Sequence, residues 1–221
     1  MLVAVALYPE FTALDCVGPY DVLSRLPGTR VRWGAARKGI LKADAGLGIA
    51  AEAFDDLPQP DVVVVPGGMR VPTLQDDPEL FSWIEAVHPG TTWTTSVCSG
   101  ALVLAGLGLL EGLTAATHWS AVEMLEDMGI TASTDRYVLH AERRIATAAG
   151  VSAGLDLALA LAVQLSDRET AEAIQLAIEY DPRPPLTAGS IRDAPQQRRD
   201  LALQRLEESV VGCTTPGSIA E

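Results

Sequence analysis

Apolar positions along this chain come in two alternating textures. Leu2 to Tyr8 and Asp61-Val-Val-Val-Val-Pro66 are short unbroken apolar runs, while Val31 to Ala36, Thr91 to Val97 and Arg144 to Ala148 are β-prone. Unbroken runs of this length are what strands of a parallel sheet covered on both faces require. Between them the apolar residues shift to helical spacing, over Phe11 to Leu26, Pro78 to Val87, Ala101 to Leu110 and Ser120 to Met128. Two consecutive helices are predicted at Val151 to Ser166 and Asp167 to Ile178, and two further strands at Ile130 to Ser133 and Tyr137 to His140. Strands alternating with amphipathic helices predict an α/β sandwich, its mostly parallel sheet covered by helices on both faces.

The texture changes after Tyr180. Asp181-Pro-Arg-Pro-Pro185 cannot continue a helix, because proline lacks the backbone donor and biases its predecessor toward extended geometry. Gln196 to Val210 then reads as a charged amphipathic helix and Gly212 to Glu221 as a loose tail. The expected division is a domain over residues 1–186 and a C-terminal arm over 187–221. The arm is too small for a core of its own and is expected to pack on the domain or on a partner subunit.

Charge narrows the range of functions. With 16 Lys and Arg against 29 Asp and Glu, the formal net charge is −13. An acidic chain repels phosphate backbones and anionic membrane surfaces, so neither a nucleic-acid nor a membrane partner is expected. Apolar stretches stop well short of the roughly 18–20 residues needed to span a bilayer. The N-terminal run lacks the basic region and cleavage site of a signal peptide and is read as a strand. Three cysteines (Cys16, Cys98, Cys213) with no Cys-x-x-Cys pair suit neither a disulfide scaffold nor a structural zinc site. A reducing cytoplasm is the expected compartment.

Candidate chemistry concentrates where Thr91-Thr-Trp-Thr-Thr-Ser-Val-Cys98-Ser99-Gly100 turns from a β-branched run into small residues that open a helix. A thiol on such a strand-to-helix turn has the placement of a nucleophile elbow. The helix dipole is expected to lower its pKa, and the Ser99 amide to face developing negative charge. A small buried hydrophobe is the competing reading of Cys98. Gly67 and Gly68 end a second strand, either as a close backbone approach to a ligand or as a plain tight turn. Asp15 is a carboxyl able to move a proton beside the thiol. Its spacing from Thr12 is also that of a capping box. Gly150-Val-Ser-Ala-Gly154 has the hydrolase elbow pattern, yet His88, His118 and His140 all precede Ser152, against the Ser–acid–His order. Gly106 to Gly112 has the wrong spacing for a dinucleotide fingerprint.

Taken together, these motifs resemble the PfpI/ThiJ superfamily, a class I glutamine amidotransferase-like family, and within it the isonitrile (isocyanide) hydratase branch. The similar segments are Tyr8-Pro-Glu, Leu14-Asp15, Gly18-Pro19-Tyr-Asp-Val-Leu23, Val65-Pro-Gly-Gly68, Thr95-Ser-Val-Cys98-Ser-Gly-Ala-Leu-Val-Leu104 and Gly108-Leu-Leu-Glu-Gly112. Ala116-Thr-His-Trp119, Ala149-Gly-Val-Ser-Ala-Gly-Leu-Asp156, Glu179-Tyr-Asp-Pro-Arg-Pro-Pro185 and Ala188-Gly-Ser190 extend the likeness along nearly the whole chain. The resemblance implies a flavodoxin-like sandwich, a homodimer, a small-molecule substrate (an isocyanide or another small electrophile) and chemistry that requires no metal and no organic cofactor. It implies Cys98 as nucleophile, Asp15 as acid/base carboxyl, and Gly67, Gly68, Ser99 and Val151 as the groups that position the substrate or supply backbone donors. His118 and Trp119 match the family motif, His118 not as the essential base. Met69 and Arg70 depart from the small, Gly-rich pattern after the glycine pair, implying a narrower or positively charged pocket. Ser99 stands where the branch has threonine, and Tyr137 to Arg143 lacks the usual Asp-Gly turn. A cysteine-dependent glyoxalase or redox sensor, and a regulatory domain without catalysis, are the alternatives within the superfamily. The regulatory reading is the weaker, because the residues after 186 supply one plausible helix and no basic helix-turn-helix.

Overall fold

The computed structural model describes residues 1–211, and the tail expected at Gly212 to Glu221 lies outside the described residues. Its centre is an eight-stranded sheet. The strands are β1 (Leu2–Ala6), β2 (Arg30–Ala35), β3 (Gly39–Lys42), β4 (Gly48–Ala53), β5 (Val62–Val65), β6 (Trp93–Ser96), β9 (Tyr137–His140) and β10 (Ile145–Ala148). They lie in the order β3-β4-β2-β1-β5-β6-β10-β9. All pairings are parallel except the two at the edges, β3 with β4 and β9 with β10. Two short strands, β7 (Thr114–Ala116) and β8 (Thr131–Ser133), pair with each other apart from the main sheet.

The helices are α1 (Ala13–Leu23), α2 (Pro78–Val87), α3 (Ala101–Gly106), α4 (Val122–Asp127), α5 (Ala153–Leu165), α6 (Arg168–Ala177) and α7 (Gln196–Val211). From β1 the chain crosses one way to β2 and later the other way, through β5 and β6 to β10. Parallel crossovers are right-handed, so reversing the direction puts the connecting helices on opposite faces. Accordingly α1, α5 and α6 pack together in one layer, and α3 packs with α4 and, at Gly106, against Phe81 of α2 in the other. Every residue of β5, β6 and β10 is buried, as unbroken apolar strands under two helical layers require. Each fully buried Val, Leu or Ile contributes about 1.5–3 kcal/mol.

Three strands escape the apolar pattern. β3 and β4 are short and together rich in Gly and Ala, β3 largely exposed and β4 mostly half-buried, so neither shows an apolar run. β7 is three residues long and starts with an exposed threonine. The helix expected to run to Leu110 stops at Gly106, and Gly108 beyond it is left-handed with φ +71°. Asp167 caps α6, its Oδ1 accepting from the Thr170 N–H at 2.7 Å.

Candidate active site

The strand order reverses between β1 and β5, and the carboxyl ends of the strands around that switch point form the crevice where open α/β sheets bind ligands. Four segments meet there: the start of α1, the turn after β5, the turn after β6 and the entry to α5. Val97 is extended, Cys98 takes φ +60°, and a short 3₁₀ turn over Cys98–Gly100 leads into α3. A non-glycine residue in the left-handed region costs of order 1–3 kcal/mol, so the neighbours must hold it there. They do so through hydrogen bonds. The Cys98 N–H donates to Ala149 O at 2.9 Å, Thr117 Oγ1 donates to Cys98 O at 3.0 Å, and the Gly100 N–H donates to Val97 O at 3.0 Å.

Glycine at position 100 is a steric requirement. A Cβ there would lie 2.5 Å from Val65 O and 2.6 Å from Pro66 O, both backbone atoms unable to yield cheaply. Gly100→Ala is expected to destabilise the protein by about 2 kcal/mol, or roughly 4–8 °C in Tm, read by thermal and urea denaturation. An unchanged Tm would mean that the turns after β5 and β6 are not held this closely.

Asp15 does not close a capping box. Thr12 is the N-cap of α1 without a side-chain cap bond; its N–H donates to Gly67 O at 2.8 Å and its Oγ1 to Asp44 Oδ2 at 2.8 Å. Asp15 Oδ2 instead accepts from the Gly67 N–H at 2.9 Å. The Gly67 peptide is therefore held from both sides, and the carboxyl is fixed under the elbow. Gly18 and Gly154 let α1 and α5 approach closely: a Cβ on Gly18 would meet Leu155 Cγ at 3.4 Å, and one on Gly154 would meet Val97 at 3.0 Å and Pro19 at 3.4 Å.

Burial dominates the electrostatics. Asp15 is fully buried, and the loss of water pushes its carboxyl up to about 7. The Gly67 amide and the nearby Cys98 thiol partly offset this, and the Asp44 carboxylate adds to it. Asp15 Oδ1 makes no hydrogen bond of normal geometry. Cys98 is 6% exposed, and burial followed by repulsion from Asp15 pushes its thiol up to about 12, against the pull of the Val151 and Ser99 amides. The low thiol pKa expected from the helix dipole is therefore not what the fold produces: desolvation outweighs it. At neutral pH the pair holds a protonated thiol beside a carboxyl near its midpoint.

The glycine pair anchors the site. The Gly68 N–H donates to Ser99 Oγ at 3.0 Å, and Ser99 Oγ donates to Gly68 O at 2.9 Å. The Gly67 N–H is taken by Asp15, so neither amide is a free donor as expected of Gly68; the amides that favour an anionic sulfur are those of Val151 and Ser99. His118 caps a short turn, its Nδ1 paired with Ser120 Oγ at 2.7 Å, and its ring stands against Gly150 and Trp119. Burial lowers its pKa, leaving it neutral at pH 7. Met69 is half-buried, and Arg70 is exposed and pairs with Glu10 at 3.5 Å. Arg70 lines a cleft of about 610 Å³ with Leu7, Tyr8, Leu41 and Val71, and Cys98 is not among its walls. The positive charge expected in the cysteine's own pocket thus points elsewhere.

Two contributors were not foreseen. Asp44, in the turn of the β3–β4 hairpin, bonds Thr12 and biases Asp15; only the Asp-Ala-Gly turn signal marks it in the sequence. Tyr8 donates its hydroxyl to Pro66 O at 3.0 Å and supports the turn from below.

A mostly parallel sandwich with a buried cysteine on a left-handed elbow and a carboxyl beneath it defines the class of the protein. The chain belongs to the DJ-1/PfpI family, whose sequence profile matches residues 1–164. It is 37% identical over 209 residues to the isonitrile hydratase of Pseudomonas putida, covering 92% of this chain and 89% of that protein. It is 26% identical over 199 residues to the HTH-type transcriptional regulator CdhR of Pseudomonas aeruginosa, covering 87% of this chain and just over half (56%) of the regulator. Similar proteins thus include both an enzyme and a regulator. Among solved structures, a ThiJ/PfpI family protein from Pseudomonas syringae superposes with a TM-score of 0.84 at 34% identity, over 97% of this chain and 90% of that one. DJ-1 from Schizosaccharomyces pombe shares the fold, with a TM-score of 0.70 at 18% identity over 80% of this chain and 98% of that one. Among the described residues, no helix is long and apolar enough to cross a membrane.

Proposed function

We propose that this chain hydrates isocyanides to N-substituted formamides, with Cys98 as nucleophile and Asp15 as the group that moves the proton. The observation that carries this reading is the buried pair itself, a protonated thiol beside a carboxyl whose pKa of about 7 lets it accept and return one proton at neutral pH. The 37% identity to an isonitrile hydratase supports it. Asp15 takes the thiol proton as sulfur bonds to the terminal carbon of R–N≡C, then delivers it to that same carbon. The product is a thioimidate, R–N=CH–S–Cys98. Water adds to its carbon, the C–S bond breaks, and R–NH–CHO leaves with the thiol restored. No step needs an oxidant or a metal.

Access agrees with this chemistry. A sulfur in a residue 6% exposed is reached most readily by a slim, linear group, and the isocyanide end is linear. The Ser99 and Val151 amides are the donors proposed to stabilise sulfur as it carries negative charge. We also read the chain as a cytoplasmic homodimer, in which the exposed Leu14, Val17 and Tyr20 of α1 supply apolar contact surface.

The test is hydration itself. Incubating the purified protein with para-nitrophenyl isocyanide in ¹⁸O-water is expected to yield the N-aryl formamide carrying one labelled oxygen, followed by mass spectrometry. Absence of formamide, with Cys98 still open to alkylation, would favour a glyoxalase-like or sensing role for the same thiol.

A further inference from the structure

We propose that Arg136 is a positioning residue for Cys98: its side chain clasps the first turn of α5 and so holds the Val151 amide on the sulfur. The inference rests on Cys98 being the working nucleophile. Arg136 lies in the turn between β8 and β9, away from the cysteine, and its contacts converge on one segment. Its carbonyl accepts the Ala149 N–H at 2.9 Å, its Nη2 donates to Ser152 Oγ at 3.3 Å, and its Nε pairs with Asp156 Oδ2. Tyr180 completes the clasp from beyond α6, its hydroxyl donating to Asp156 Oδ1 at 2.9 Å. Arg136, Ser152, Asp156 and Tyr180 line a cleft of about 1090 Å³ that does not include Cys98.

The clasped segment is the one that meets the nucleophile. Ala149 O receives the Cys98 N–H, and the Val151 amide favours the anionic form of the sulfur. Val151 sits at φ +29°, a conformation that a β-branched residue adopts only when its surroundings impose it. Left unheld, the residue gains by relaxing to negative φ, and that rotation turns its N–H away from the sulfur. The bonds from Arg136 on either side of Val151, to Ala149 and to Ser152 and Asp156, oppose that rotation. Asp156 in the first turn of α5 is further favoured by the helix dipole. The groups that bear on the charge of the sulfur are the Asp15 carboxyl and the Val151 and Ser99 amides, with Tyr8 also coupled to it electrostatically. Arg136 is not among them, so its influence travels through the backbone.

Alkylation of Cys98 by iodoacetamide in the full chain, followed by peptide mass mapping from pH 6 to 10, tests the clasp whether or not isocyanides turn over. Arg136→Met is expected to slow alkylation at pH 8 about tenfold, a fraction of the roughly 10²-fold that a 1 Å misplacement can cost. Arg136→Lys keeps a charge for Asp156 and should recover part of the rate, and Tyr180→Phe should produce a smaller loss in the same direction. A wild-type profile for Arg136→Met overturns the proposal. Equal losses in the Met and Lys variants that track a fall in Tm, with no rescue by Lys, also overturn it by making the clasp purely structural. A wild-type chain inert to isocyanides counts against the proposed hydration and leaves the alkylation result intact.

Discussion

Cys98→Ala is expected to reduce formamide production at least about 10³-fold while leaving the fold in place. The large kinetic effect follows from the two-step route: without sulfur there is no thioimidate, and water must attack the isocyanide carbon unaided. The small structural effect follows from what holds the elbow. The bonds from Cys98 N–H to Ala149 O and from Thr117 Oγ1 to Cys98 O are backbone bonds at position 98 and survive the change. Alanine also has the same Cβ as cysteine, so the left-handed φ costs no more than before. The measurement is steady-state formamide formation by the variant, with its melting curve beside the wild type. Retention of turnover would assign the chemistry to another group.

Asp15→Asn is expected to lower kcat/KM by about 10²–10⁴-fold with little change in thermal midpoint at acidic pH. The amide can still accept from the Gly67 N–H, so the turn after β5 keeps its anchor, but the proton carrier is gone. The pH dependence separates this role from a structural one. Because Asp15 and Cys98 are coupled, the pair as a whole loses a first proton near pH 7 and a second near pH 12. The reactive form holds one proton between the two groups. In the wild type, kcat/KM should therefore fall below about pH 7, and in Asp15→Asn that acid limb should disappear. Persistence of the same limb in the variant would mean that a different group titrates.

Stability should move in the opposite sense. The folded pKa of Asp15 is raised above its ordinary value of 3.8, so the folded state holds the proton more tightly than the unfolded chain. Its contribution to stability is fully present below about pH 4 and is lost as the pH rises through about 7, on the order of 4 kcal/mol in all. Asp15→Asn never buries this anion, so its Tm relative to wild type should climb between pH 4 and pH 7. A buried carboxylate kept at the expense of stability is a common mark of a working site.

Much of the fold was legible because it rests on continuous burial. The Val62–Val65 run reads as a strand covered on both sides and Ile145–Ala148 as a strand, and both are buried throughout. The β3–β4 hairpin was invisible for the converse reason: Gly39–Lys42 is mostly exposed, and no apolar alternation selects its register. With the hairpin unseen, Asp44 went unseen too. The elbow was legible from the β-branched run that stops at Cys98 and the small residues after it.

By itself, the sequence determined the α/β alternation, the elbow at Cys98 and the presence of an acidic residue in an early helix, because these depend on neighbours within a few positions. Three things were decided only by the tertiary structure. Asp15 abandons its local cap for the Gly67 amide because the turn after β5 lies across the start of α1. The Cys98 thiol rises instead of falling because both helical layers shut out water, and desolvation outweighs the dipole of the short α3 helix. The amides of Gly67 and Gly68 become anchors because the turns after β5 and β6 are packed so closely that a Cβ on Gly67 would lie 2.6 Å from the Ser99 nitrogen. Local patterning sets which groups are present, and long-range packing sets their charge state and which hydrogen bonds they have left to give.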